Sequence, residues 1–245
     1  MSRPRGQIIV KMRSLWAVAL VLACASGCVS PRGPASWQAV PATARDTSAF
    51  ATAQQTVRAA FPAAYRATQR AIISVRQRQF VCDGLLTVSP AEGWHLALVS
   101  TLGLVTDVRV KGDGSLEVLK VTPLFREAWA RDYVARELRW LFTPPPGLSP
   151  AGRLSDGRLL LEAESRVDGV KARYVCNPDG RRWEELVVFN GSRQLFHAKI
   201  SGYRSFPGWP RAVPAEIEVD AGTHQLHVRI AALSLATALP TEGVR

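Results

Sequence analysis

From Ile72 to Leu235, apolar and polar residues mostly alternate one for one. That is the period of a strand with one dry face and one wet face. Val108 and Val110 alternate with Arg109 and Lys111; Val170, Ala172 and Tyr174 alternate with Lys171 and Arg173; Leu226, Val228 and Ile230 alternate with His227 and Arg229. The spacing predicts strands over 72–88, 94–101, 104–111, 115–122, 158–165, 169–176, 182–190, 193–203, 214–220 and 223–235. Turn chemistry separates them: Gly112-Asp113-Gly114, Asn177-Pro178-Asp179-Gly180, Asn190-Gly191 and Ala221-Gly222, residues that accept the tight backbone of hairpins. Asn190-Gly191-Ser192 also matches a glycosylation sequon, but a hairpin explains it.

Two stretches change period. Residues 50–60 read as a helix stopped by Pro62. Between Leu124 and Phe142 the period is again helical, with Ala130, Val134, Leu138 and Leu141 on one face and Arg126, Arg131, Glu137 and Arg139 on the polar surface; Pro144, Pro145 and Pro146 end it. The fold class is therefore mainly β with helices (α+β), a curved antiparallel sheet in one domain over 49–236. A sheet of about ten strands curls rather than lying flat. Curling inward makes an apolar concavity, and the second helix is the object available to cover it. Either side chains fill the interior or a cleft stays open to an acyl chain; periodicity does not choose.

The first thirty residues carry a different pattern. Arg3, Arg5, Lys11 and Arg13 precede an apolar run from Leu15 to Cys24, too short to span a bilayer but of signal-peptide length. Ala25-Ser26-Gly27-Cys28 resembles the lipobox of bacterial lipoproteins, in which the cysteine thiol receives a diacylglycerol. The expected organisation is a signal peptide over 1–27, a lipidated Pro/Ser/Ala/Thr-rich tether over 28–48 and a short tail over 237–245; a start at Met12 would give a more compact signal. Three acyl chains burying on the order of 40 methylenes at about 0.8 kcal/mol each would hold the chain to a membrane. Val29 and Ser30, with no Asp after Cys28, favour the periplasmic face of the outer membrane.

Loss of residues 1–27 removes four basic residues, so a net charge of +11 becomes +7 on 218 residues. The excess is spread out, which argues against nucleic acid and suits a surface near anionic lipid headgroups; the chain is expected to be a monomer. Cys82 and Cys176 would remain, either bridged in an oxidising compartment or as two buried thiols. Chemistry is sparse. His95, His197, His224 and His227 form no His-Glu-x-x-His run, and no nucleophile elbow or phosphate loop occurs. Glu162 and Glu164 share a strand face that reads as solvated. Trp209 reads as a cap on the open end of the sheet or a membrane contact. Neither a catalytic residue nor a metal ligand is expected, and no cofactor beyond the lipid on Cys28.

The segment from His95 to Val110, an apolar strand running through Leu102-Gly103 into the next, resembles the LolB outer-membrane lipoprotein receptor family. The stretch Gly202-Tyr203, then Pro214 to Val219, Gly222 and Gln225 to Ile230, is similar to that family's closing strands. The resemblance spans roughly 65–235. It implies a LolA/LolB-like incomplete β-barrel with a helical lid, enclosing a cavity for acyl chains. In the receptor a leucine protruding from the Leu-Gly turn helps place substrates in the membrane; Leu102 holds that position here, with Thr101 where the family has proline. Leu102 is thus a candidate membrane or cargo contact, or else an ordinary hairpin residue. Val108, Val110, Leu161, Tyr174, Leu226 and Val228 are the candidate lipid-binding residues. The expected partners are membrane lipid and lipidated proteins or a periplasmic carrier. The alternative is a non-catalytic scaffold lipoprotein with a filled core.

Overall fold

The computed structural model describes residues 39–43, 46–61, 63–75, 77–90, 92–101, 103–111, 115–122, 134–142, 147–164, 169–209 and 211–235. Cys28, Leu102, the signal segment, most of the tether, the C-terminal tail and the Gly112-Asp113-Gly114 turn lie outside the described residues. After helix α1 (Thr47–Arg58) come β1 (Tyr65–Val75), β2 (Arg78–Ser89), β3 (Gly93–Ser100), β4 (Gly103–Val110) and β5 (Leu116–Val121). Helix α2 (Ala135–Phe142) is followed by β6 (Ser149–Arg153), β7 (Leu159–Glu164), β8 (Lys171–Cys176), β9 (Trp183–Asn190), β10 (Arg193–Ser201), β11 (Glu216–Asp220) and β12 (Gln225–Leu235).

The twelve strands of the described residues form one sheet in the order β5-β4-β3-β2-β1-β12-β11-β10-β9-β8-β7-β6. Every neighbouring pair is antiparallel. The chain starts at the centre, meanders out to one edge, jumps to the opposite edge, and meanders back until β12 pairs with β1. The sheet is curved and unclosed, since β5 and β6 do not pair with each other. This order has a consequence for α2. It sits in the connection between the two edges, and its apolar residues pack on both halves. Trp140 and Leu141 join the cluster built on α1 and β7–β10, while Val134, Leu138 and Phe142 pack against the cluster of β1–β4.

Helix α1 buries Phe50, Ala53 and Val57, a stripe at helical spacing, and packs against β7 and β9. It lies so close to the β8–β9 turn that a Cβ on Gly180 would fall 2.4 Å from the Ala49 carbonyl oxygen. Gly180 also has φ +74°, so contact and backbone both demand glycine there.

The structure differs from the sequence expectation at three places. The single strand expected over 72–88 is a hairpin, with Val75 opposite Arg78. No Gly, Asn or Pro marks that turn, and the inward positions before it include Ala67, Gln69 and Ala71, too weakly apolar to read as a core face. Strand β6 was not expected because it contains Pro150 and Gly152. An edge tolerates both, and the β6 edge is capped by Val40 bridging to Arg153. The third difference is Glu137, expected on the polar surface of its helix, which is only 4% exposed. Residues 123–133 of the long expected helix lie outside the described residues. The remaining strands fall within a few residues of expectation.

Candidate functional site

Between α2 and the inner face of the sheet lies a slit. Its floor is Ala71 and Ile73 of β1, Leu96 and Leu98 of β3, Ile217 of β11, and Leu226 and Val228 of β12; its roof is Val134, Leu138, Leu141 and Phe142. These floor positions face inward by strand alternation. Gln69 occupies an inward position on β1, and Gly84 opposite it supplies the room: a Cβ there would lie 2.8 Å from Leu98 Cδ2 and 3.0 Å from Gln69 Cγ. The cavity is narrow, about 50 Å³, because the neighbouring side chains close most of the interior.

Among the described residues, three polar ones line the slit: Gln69, Glu137 and His224. His224 stands just before β12 and is 4% exposed; its Nε2 lies 3.1 Å from Glu137 Oε2. The hydroxyl of Thr223 is 3.1 Å from the other ring nitrogen. A buried hydrogen bond thus joins α2 to the rim of the sheet.

Of the residues expected to contact lipid, the structure brings Leu226 and Val228 into the slit. It does not bring the other four there. Val108 and Val110 are buried in the cluster of β1–β4, and Leu161 and Tyr174 are fully buried in the cluster under α1. They lie on the inward face, as their alternation implied, but where that face is already covered. The slit residues that alternation did not single out come from β1, β3 and β11. Their convergence depends on the β1–β12 pairing, which no local pattern encodes. Among the α2 residues, the apolar spacing had already placed Val134, Leu138 and Leu141 on one face.

Cys82 and Cys176 are free and buried in different clusters, so of the two possibilities the structure has the unbridged one. Burial pushes both thiols up, Cys176 to about 12, which leaves them protonated and unreactive. Trp209 is half-buried against the β1–β4 cluster. Glu162 pairs with Arg173 at 2.6 Å and Lys171 at 3.7 Å, an ion-paired wet face rather than a carboxylate dyad. Among the described residues no group of three or more His, Cys, Asp or Glu is arranged to hold a metal ion, and no helix is long and apolar enough to cross a membrane.

A wider hollow of about 420 Å³ opens on the opposite face of the sheet, lined by residues that include Ser74, His197, Lys199, Glu218, Asp220 and His227. Its mixed charges suit water rather than hydrocarbon. Beside it, Glu185 accepts hydrogen bonds from Arg158 and from His197 at 3.0 Å. The His197 imidazole first, and Arg158 after it, hold the Glu185 carboxyl at about 2 despite burial, against an ordinary 4.5. A carboxyl that is more acidic when folded contributes stability that is complete above its ordinary value and lost as pH falls through the lowered one. Asp46, held at about 2 by the hydroxyl and amide of Thr43 and then by Arg153, acts in the same sense. The urea midpoint should therefore be flat from neutral pH down to about 5 and fall between there and pH 2. Glu185→Gln should lower the neutral plateau and make that acid limb shallower.

No protein-family profile matches this sequence, and no curated protein matches it. Solved structures do. A LolA superfamily protein from Nitrosomonas europaea aligns with a TM-score of 0.56 at 13% identity, over 79% of this chain and 95% of that one. A DUF1329 family protein from Desulfovibrio piger aligns at 0.51 and 8% identity, over 79% and 94%. A candidate outer membrane lipoprotein-sorting protein domain from Vibrio parahaemolyticus aligns at 0.50 and 9% identity, over 80% and 95%. At such identities the likeness concerns the backbone, and it says that this chain has a LolA-like fold.

Proposed function

We propose that this protein binds acyl chains non-covalently in the slit beneath α2 and moves lipidated cargo between a carrier and the outer membrane, without catalysing a reaction. In this reading α2 is a lid. Cys28 carries the lipid anchor on the periplasmic face, and Leu102 touches membrane or cargo. The observation that supports it most is the slit itself: apolar on floor and roof, and bounded by a helix in the connection between the two edge strands of the sheet. An acyl chain entering there must lift α2, since about 50 Å³ does not enclose one. Each buried methylene would contribute about 0.8 kcal/mol before that cost.

The same narrowness favours a second reading, a scaffold lipoprotein whose interior is simply filled. Native mass spectrometry separates the two. The full chain with Cys28→Ser, purified without detergent, is expected to retain lipid, and once delipidated to take up the apolar dye N-phenylnaphthylamine. A protein that emerges empty and ignores the dye would be the scaffold.

A further inference from the structure

The geometry points to a head-group site at the β11–β12 end of the slit, where Glu137 receives an acyl chain bearing an uncharged hydrogen-bond donor, an amide N–H or a hydroxyl, beside its first carbons. The inference rests on the acyl-binding reading and narrows it to a class of lipid.

Glu137 is 4% exposed and lines the slit. Its Oε2 is engaged by His224, but its Oε1 is sealed from solvent and has no hydrogen-bond partner among the described residues. Whichever way the ring shares its protons with the Thr223 hydroxyl and Glu137, that contact uses Oε2 of the carboxylate and not Oε1. The carboxylate then keeps one acceptor oxygen buried and unmatched. Native interiors leave few such atoms unpaired, and this one borders the slit. An uncharged donor completes it. A fatty-acid anion would set a second carboxylate against the first in a poorly solvated place, and an ester with no free hydroxyl offers acceptors alone.

The length of the slit agrees. Gln69 lies opposite Ile230 across β1 and β12, and His224 is six residues further back along the β12 chain, roughly 20 Å at about 3.3 Å per residue. One leaflet of acyl chains spans about half of a ~30 Å hydrocarbon core. An apolar track of that scale, with Glu137 and His224 at one end, fits a single tail whose polar head stops at Glu137.

The test is competition for bound N-phenylnaphthylamine on the full chain with Cys28→Ser. The competitors are N-palmitoylethanolamine, monopalmitoylglycerol, methyl palmitate and palmitate at neutral pH. The two donor-bearing lipids should displace the dye at concentrations about tenfold lower, or better, than the other two. Glu137→Ala should bring all four to within about twofold. Glu137→Gln keeps an acceptor and loses the charge, so it should retain the preference over methyl palmitate and admit palmitate. Equal affinities in the parent chain, or a preference unchanged in Glu137→Ala, would overturn the site while leaving acyl binding in place. If the alanine variant does not melt cooperatively, the glutamine variant decides: a palmitate-to-methyl palmitate ratio that does not move refutes it. Failure of the dye to bind at all would remove the acyl reading and this site together.

Discussion

Leu138→Asp is expected to abolish uptake of an apolar dye or acyl lipid while leaving the protein folded. Leu138 belongs to the roof of the slit and is only half-buried, so a carboxylate there keeps access to water in the closed state. Once a hydrocarbon tail fills the slit, the same carboxylate must lose solvent against methylene groups. That desolvation costs several kcal/mol without a partner, enough for a loss of affinity of about 100-fold or more. Leu119→Asp is the control: Leu119 is 45% exposed and not among the slit residues, and its substitution should change neither binding nor melting. Dye titration and a thermal melt on each variant check both halves of the expectation. Undiminished binding in Leu138→Asp would move the ligand away from the slit.

Trp183→Ala is expected to be the most damaging single change to stability, at about 3–5 kcal/mol, out of the roughly 5–15 kcal/mol that a domain commonly has. Trp183 is fully buried, with its ring centroid 5.8 Å from that of Tyr174. Its indole N–H donates to the Glu185 carbonyl at 2.9 Å. Its backbone is gripped from outside by the Tyr203 hydroxyl, which accepts from the Trp183 N–H at 2.9 Å and donates to the Trp183 carbonyl at 2.7 Å. Truncation would open a cavity between α1 and the sheet and leave the Glu185 carbonyl without that donor. Urea unfolding followed by circular dichroism measures the loss. A cost below about 1 kcal/mol would mean that the cluster under α1 collapses to refill the space.

The two substitutions separate packing that holds the fold from the slit that leaves room. Trp183, Tyr174, Leu161 and Phe196 lie in the cluster covered by α1 and by Trp140 and Leu141 of α2. The slit lies where, among the described residues, α2 covers the sheet. All six residues expected to meet lipid belong to or pack against the two clusters, yet Leu226 and Val228 alone of the six also line the slit, because alternation reports which face of a strand is dry, and both a filled core and a lined hollow require dry faces.

Local chemistry was enough for a good deal of this molecule. One-for-one alternation with hairpin turns at Asn177–Gly180, Asn190-Gly191 and Ala221-Gly222 implied an antiparallel sheet, because strand period and turn conformation are properties of a few adjacent residues. The change of period at Val134, Leu138 and Leu141 announced a helix with one apolar face, for the same reason. Tertiary structure alone decided the rest. The pairing of β1 with β12, which joins residues about 150 positions apart and assembles the slit floor, depends on closing a long loop and leaves no local trace. The burial of Glu137 was equally invisible: by residue type it belongs on the surface. Among the described residues it is His224, at the start of β12, that gives that carboxylate a partner inside.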